Sequence, residues 1–287
     1  MANEVVQDAD AALAAIIQMT LEQEARVGIV SPKFYRPIPI VGPTLAVKVG
    51  KHPVTTNAGT LTDGTALSNT TINPTSVTIT AAGVGLATDV TDFSSEGSLL
   101  DVQAAAENFV RATLNKIDVD CAALFDNFTT TAGATTVNLS VANLLSAYYS
   151  LMNANEMKNP VLILHPIQYA DVQAEIVASS APVFSTDVVQ DGFLKLLPGD
   201  PNYRGTFLGI PVYTDSNAPE SGGGGTDDRG GALFAAFRAL AIGWKWQIKA
   251  ETLRNVKMVA TSLAVSACYG VAEIHDAAGV SIITDHE

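Results

Sequence analysis

KHPVTTNAGTLTDGTALSNTTINPTSVTITAAGVGLATDVT, residues 51–91, is followed a few positions later by SLLDVQAAAENFVRATLNKIDVDCAALFDNF, residues 98–128. The contrast between these stretches decides the fold. The first is rich in Thr and Gly, with Gly59, Gly64, Gly83 and Gly85 among scattered large apolar side chains, too few to bury a core of its own. It needs a neighbour to lie on. The second predicts a long amphipathic helix, because Val102, Ala106, Phe109, Thr113, Ile117, Cys121, Leu124 and Phe128 recur at three- and four-residue steps. Thr113 is the one polar member of that stripe. Ser98 suits the N-cap and Asp101 the positive end of the helix. Glu107 with Arg111, and Lys116 with Asp120, make opposite-charge pairs one turn apart on the solvated side. At 1.5 Å per residue such a helix spans about 45 Å, close to the full width of a chain this size.

Upstream, Leu45, Val47 and Val49 alternate with Lys48, and the period of two returns at Val77, Ile79 and Ala81, which predicts a hairpin with a long tip. Legs of roughly 20 residues reach about 65 Å at 3.3 Å per residue, against a radius of gyration of about 19 Å for a compact chain of this length. The hairpin therefore curls back or projects onto something else. Before it, Pro32, Pro37, Pro39 and Pro43 favour extended backbone. The first thirty residues predict an amphipathic helix, with Ala12, Leu13, Ile16, Ile17, Met19 and Leu21 near helical spacing. That helix either packs on its own domain or forms an arm reaching a neighbour.

Downstream, a turn at Thr129 to Thr136 precedes a second helix that Ser140 opens, running through Leu144, Leu145, Tyr148, Tyr149 and Met152. PVLILH, Pro160 to His165, is a continuous apolar run suited to a buried strand, and Pro166 starts the helix IQYADVQAEIVAS. The return strand is TFLGIPVYT, Thr206 to Thr214, where Gly209 and Pro211 mark an edge or a bulge. SGGGGTDDRGG, Ser221 to Gly231, is a surface loop by composition. Then come an apolar run from Ala232 to Trp244 and a stretch of alternating small and β-branched residues from Lys257 to Val271. Val271 to His275 and Val280 to Thr284 predict a closing hairpin around Asp276-Ala277-Ala278-Gly279. Strands before and after the long helix imply an α+β fold whose sheet is assembled from distant parts of the chain.

Composition narrows the functions. With 287 residues, 47% of them hydrophobic and 16% charged, the chain is globular and its surplus apolar surface goes into subunit contacts. No run of about 18 apolar residues predicts a membrane span. The acidic start lacks the basic and apolar regions of a secretory signal, which predicts a cytosolic origin. A formal charge of −13 argues against nonspecific binding to phosphate backbones. The two cysteines, Cys121 and Cys268, have no CxxC spacing and read as buried thiols.

The four histidines, His52, His165, His275 and His286, do not form a metal-binding pattern. His165 is the most tempting for catalysis, at the end of a buried strand before a helix, but no nucleophile motif accompanies it and a histidine satisfying backbone groups reads better. Gly83-Val84-Gly85 lacks the rest of a dinucleotide fingerprint, and the run Gly222 to Gly225 lacks the Lys and Ser/Thr of a phosphate loop. Asp227 and Asp228 read as a solvated loop, not a cation site. The sequons at Asn69, Asn127 and Asn138 matter only outside the cell. Trp244 and Trp246 alternate in IGWKWQIK and read as one packed face of a strand. No catalytic, cofactor or metal residue is nominated, and the chain reads as something other than an enzyme.

The order of parts resembles the major capsid proteins of tailed bacteriophages, of the Hong Kong 97 type. PVLILHPIQYADVQAEI looks like the strand and helix of that family's central domain, and FLGIPVYTDSNAP is similar to its Gly-x-Pro-Val strand and polar turn. ALFAAFRALAIGWKWQIKAE and AVSACYGVAEIHDAAGVSIITD look like its closing strands. The resemblance implies an N-terminal arm at 1–44, an extended β-hairpin loop at 45–94, a spine helix with the first part of a peripheral domain at 95–139, a central axial domain at 140–246, and closing peripheral strands with a C-terminal hairpin at 247–287. It implies hexamers and pentamers of an icosahedral phage head, assembled in the host bacterial cytoplasm and enclosing double-stranded DNA without reading its sequence. Membranes are not involved, and separate scaffolding, portal and decoration proteins are the possible partners. Some relatives form a Lys–Asn crosslink; Lys48 and Lys51 lie near the hairpin, but no acceptor or catalytic glutamate matches, so no crosslink is expected. The alternatives are an encapsulin-like nanocompartment shell of the same fold and, from another class, an α/β hydrolase-like enzyme using His165.

Overall fold

The structure, a computed structural model, describes residues 29–51, 63, 74–92, 102–178, 201–219 and 229–285. The expected N-terminal helix, the hairpin tip, Ser98, and the Gly-rich loop up to position 228 lie outside the described residues. In chain order, a short 3-10 turn at Ser31–Phe34 leads to β1 (Arg36–Pro39), β2 (Ala46–Lys51), β3 (Thr75–Thr80), β4 (Ala82–Thr91) and α1 (Val102–Ala122). Then follow β5 (Thr131–Ala134), α2 (Val141–Asn153), β6 (Pro160–Leu164), α3 (Pro166–Ala178), β7 (Tyr203–Phe207) and β8 (Ile210–Thr214). β9 (Arg229–Ala235), β10 (Leu240–Asn255), β11 (Ala260–Glu273) and β12 (Gly279–Thr284) complete the described chain.

Two sheets and a ribbon result. The first sheet has the order β1-β10-β11-β4, the second β5-β12-β9-β6-β8-β7, and β2 pairs with β3 alone. The first sheet does draw on distant parts of the sequence, as the strand pattern implied. β1 sits at its edge, parallel to β10, where Pro37 and Pro39 sacrifice no shared ladder bond. β4 runs antiparallel along β11 from Thr91↔Ala260 to Ala82↔Tyr269. The last ten residues of the Thr/Gly stretch thus find their neighbour inside their own chain.

α1 covers one face of the first sheet. Ala106, Val110 and Leu114 pack on Leu263 and Val265, and farther along Ile117 and Cys121 join Ile242, Leu240 and Tyr269. The helix ends at Ala122, short of the expected Phe128. There the Cys121 carbonyl accepts both the Leu124 N–H at 3.0 Å and the Tyr35 hydroxyl at 2.6 Å. The chain tightens into a 3-10 turn at Phe125–Asn127, which turns Phe125 and Phe128 onto Phe234, ring centroids 5.7 and 6.4 Å away. Thr113 is buried, and its hydroxyl donates to the Phe109 carbonyl at 2.8 Å. That bond satisfies the one polar member of the stripe.

The second sheet carries α2 and α3 over a core of Leu144, Leu151, Leu162, Leu164, Val172 and Val212. The Ser140 side chain accepts the Asn143 N–H at 3.2 Å and caps α2, as its position predicted. β6 and β8 are parallel around α3, the strand-helix-strand unit the sequence implied. TFLGIPVYT, however, is two strands: β7 and β8 form an antiparallel hairpin turned at Leu208-Gly209, with φ of 49° and 81°. Gly230 and Gly231, expected in the loop, belong to β9. A side chain at Gly231 would lie 2.7 Å from Gln168 Oε1 and 2.8 Å from the Ile163 carbonyl, so glycine lets α3 approach the sheet.

The closing hairpin is a further correction. β11 ends in the first sheet, whereas β12 pairs with β9 and β5 in the second. After the passage from β4 to β5 by way of α1, the chain therefore crosses between sheets twice more, at 236–239 and 274–278. The two crossings are bonded together, since Ile274 and His275 N–H both donate to the Ala239 carbonyl, at 2.8 and 3.0 Å. The Ala232–Trp244 run is split by the first crossing for the same reason. Nor do the tryptophans share surroundings, because the register of β10 slips on each side of Trp246. Trp244 packs 5.6 Å from the Tyr269 ring, whereas Trp246 is 40% exposed, with the Lys249 ammonium over its ring.

Candidate functional site

The ribbon of β2 and β3 lies on the face of the first sheet opposite α1. Its register, Val47↔Ile79 and Val49↔Val77, puts the alternating apolar residues on one side, as the period of two predicted. Those side chains meet Ile38, Ala241, Ala272 and Ile274, with Ile40, Ala81 and Cys268 beside them. Two glycines permit the crossing. A side chain at Gly243 would lie 2.9 Å from Ile79 Cγ2, and one at Gly270 would overlap the Thr80 carbonyl. Burial falls along the inward side of β3, from Ile79, fully buried, to Val77, half-buried, and Thr75, exposed, while Lys48, Thr78 and Ser76 face outward and are exposed. The described ribbon is thus seated on the first sheet most firmly at Ile79.

A second junction lies where the segment before β1 meets α1. Ile29, Val30, Ser31 and Tyr35 are buried, and the Val30 and Ser31 N–H groups donate to Asp118 Oδ1 at 3.3 and 3.0 Å. The Ser31 hydroxyl donates to Asp215 Oδ2 at 2.6 Å. Asn217, just after β8, donates its side-chain amide to Asp118 Oδ2 at 2.9 Å and its N–H to Asp215 Oδ1 at 2.9 Å. Two buried carboxylates therefore tie together the incoming segment, the long helix and the second sheet. Burial, reinforced by the charge of Asp215, pushes the Asp118 carboxyl up to about 7, against the pull of hydrogen bonds from Asn217 and Ser31. Sequence reasoning missed this pair. The available signal was Asp118 itself, one position from Ile117 and one turn from Cys121 in the buried stripe.

The third polar cluster joins the two sheet crossings. Arg238 grips Glu156 with Nη2 on Oε1 and Nε on Oε2, both at 2.8 Å. His275 Nε2 lies 3.7 Å from Glu156 Oε1. Burial lowers the His275 pKa, with Glu156 acting in the opposite sense, so the pair is built around the arginine.

His165 serves as a helix cap. It is buried at the start of α3, where Nδ1 accepts the Ile167 N–H at 3.3 Å and its own N–H donates to Gln168 Oε1 at 3.1 Å. This reciprocal cap is the backbone-satisfying role expected of it. Cys121 and Cys268 are free, buried thiols. Gly83 and Gly85 lie within β4, not in a phosphate-binding loop. His52, His286, Asp227 and Asp228 lie outside the described residues. Among the described residues, no group of three or more His, Cys, Asp or Glu is placed to hold a metal ion, and no helix is long and apolar enough to cross a membrane.

No family model and no curated protein matches the chain. Solved structures do. A structure from Mycobacterium phage Che8 matches with 17% identity and a TM-score of 0.60, over 83% of this chain and 84% of that one. The capsid of cyanophage P-SCSP1u matches with 13% identity and a TM-score of 0.64, over 88% and 87%. The holo-SrpI encapsulin complex from Synechococcus elongatus matches with 12% identity and a TM-score of 0.62, over 87% and 85%. At such identities the shared property is the fold. The chain has the Hong Kong 97-type α+β capsid fold.

Proposed function

We propose that the chain is the major capsid protein of a tailed bacteriophage, a structural subunit that self-assembles into the hexamers and pentamers of an icosahedral head enclosing double-stranded DNA. The observation that carries this reading is the extent of the shared fold, more than four fifths of both chains against phage capsid structures. The ribbon supports it, since it is anchored on the first sheet at Ile79 and the inward side of β3 loses burial from there to Thr75. In this reading 1–44 is the arm, 45–94 the extended loop, 95–139 and 247–287 the peripheral domain, and 140–246 the central axial domain. Assembly takes place in the host bacterial cytoplasm, with separate scaffolding, portal and decoration proteins as candidate partners.

The mechanism is geometric. Loop and arm remove apolar surface from water on neighbouring copies, and modest contacts repeated around a closed shell add up by multivalency. A chain with a net charge of −13 encloses DNA without adhering to it along its whole surface. A second reading, an encapsulin-like compartment, is favoured by the SrpI match and differs in what the shell holds.

Purified protein should form closed particles under negative-stain microscopy, with capsomers visible by native mass spectrometry. A discrete small species under every assembly condition would overturn the shell reading. Particles from infected or lysogenic cells containing nuclease-protected DNA support the phage head; particles filled with a cargo protein instead support the compartment.

A further inference from the structure

Five non-glycine residues among those described hold their backbone in the left-handed region: Asn155, Asn159, Leu208, Phe237 and Val259, with φ between 48° and 61°. Asparagine adopts that conformation readily, because its short polar side chain bonds locally. Leucine, phenylalanine and above all β-branched valine do not. Each of these three also exposes an apolar side chain: Leu208 is 54% exposed, Phe237 51% and Val259 44%.

All three sit in turns whose geometry their own neighbours impose. Leu208 and Gly209 are the two central residues of the β7–β8 hairpin, a turn with positive φ at both positions that favours Asn-Gly. Leucine stands where asparagine would cost less. Phe237 is held by its N–H on the Phe34 carbonyl at 2.8 Å and by Arg238 and Ala239 N–H on the Ala235 carbonyl. The Val259 carbonyl accepts the Asp92 N–H at 3.0 Å. Val259 shares its tip with Leu253, Val256 and Met258, which are 72%, 80% and 56% exposed.

Strand directions place these tips. β8 starts, and β9 ends, beside Pro160 at the start of β6, so Leu208 and Phe237 share one end of the second sheet, about two strand spacings or 10 Å apart. Val259 lies at the far end of β10, up to about 50 Å away at 3.3 Å per residue. Strained backbone that displays an apolar side chain to water brings nothing to an isolated chain, and it persists where something outside uses it. We propose that Leu208, Phe237 and Val259 are contact points through which one copy of this chain grips others. This rests on the shell reading above. A second copy is the fitting occupant for two reasons. Tips at both ends of the molecule suit a subunit with neighbours on several sides. Copies each carrying −13 repel overall, and apolar contacts offset that repulsion without needing paired charges.

The test replaces each residue by asparagine, which keeps the turn and removes the apolar group. Leu208→Asn, Phe237→Asn and Val259→Asn should each keep or raise the thermal midpoint of the unassembled subunit. Each should also slow assembly, followed by light scattering at equal concentration, at least ten-fold, and the triple variant should remain unassembled. Variants that assemble at the parent rate overturn the proposal, and so do variants that melt several degrees lower, because the side chains then serve their own fold. If the parent forms small oligomers that the variants dissociate in analytical ultracentrifugation, the contacts stand and the shell reading fails. A parent that stays monomeric throughout sinks both.

Discussion

At the scale of single residues, the most consequential side chain is Asp118, whose carboxyl is raised to about 7 chiefly by burial and then by Asp215. In the unfolded chain it titrates near 4, at about the ordinary value for aspartate. Between those values the native state holds a proton the unfolded state has released, so its contribution to stability is present below about pH 4 and lost as pH rises toward 7. The slope is at most about 1.4 kcal/mol per pH unit. Other carboxylates add slopes of their own, and Asp118→Asn, which fixes the neutral form, removes this one. Urea unfolding at pH 4.5 and 7 should show the variant gaining on the parent by more than about 1 kcal/mol across that interval. Parallel pH profiles would rule the shifted carboxyl out. Arg238→Ala strands the buried Glu156 carboxylate, and because Arg238 is itself partly exposed the cost should be about 2–3 kcal/mol, toward the low end for a broken buried pair. Chemical denaturation checks it, and an unchanged midpoint would mean that water replaces the guanidinium. Neither cluster was legible beforehand. Each joins residues distant in sequence, 118 with 215 and 156 with 238, the latter 82 positions apart, and hydrophobic periodicity carries no information about which polar groups converge. His165 was legible because its partners, Ile167 and Gln168, are local.

At the scale of elements, the same division between local and distant explains what the sequence foretold. Helices α1 and α2 follow from three- and four-residue spacing and from Ser140 as cap, and the β2–β3 ribbon follows from alternation, all short-range signals. The errors came from pairing. TFLGIPVYT read as one strand because a leucine fills the turn position where asparagine signals a hairpin. The closing hairpin read as one unit because β11 and β12 are adjacent in sequence, although their partners lie in different sheets. The end of α1 depended on Tyr35, 86 positions from Cys121, occupying a terminal carbonyl. The ribbon itself offers a sharp test, because Gly270 leaves no room for a side chain under the Thr80 carbonyl. Gly270→Ala should lift β3 from the sheet at a cost of about 1–3 kcal/mol, as overpacking does. Hydrogen exchange should then quicken at Val77, Ile79 and Ala81 while Leu144 and Leu162 in the second sheet stay protected. Uniform slowing or no change would show that the ribbon is not seated through that glycine.

At the scale of the whole molecule, the Thr/Gly stretch divides into a part with partners in its own chain and a part without a described one. Its last ten residues have the partner they lacked, since β4 is bonded along β11 inside the chain. The ribbon base has another, since Ile79 is fully buried against the first sheet. What still lacks an intramolecular account is the segment beyond Lys51 and before Thr75, which lies outside the described residues apart from Asp63 and Pro74. Its composition is too poor in apolar side chains for a core, and in the shell reading a neighbouring copy supplies the missing surface. Removing Thr55 to Ile72 and closing the gap with a short Gly-Ser turn therefore separates folding from assembly. β2 and β3 keep their mutual ladder and their seat on Gly243 and Gly270, so circular dichroism and the unfolding midpoint of the subunit should match those of the parent. Particle formation should disappear, because each copy loses the overhang that spans its boundary with the next. Intact particles from the deleted chain would move the task of joining neighbours onto the arm and the turn tips. A collapsed midpoint would instead mean that the segment lies on its own subunit after all.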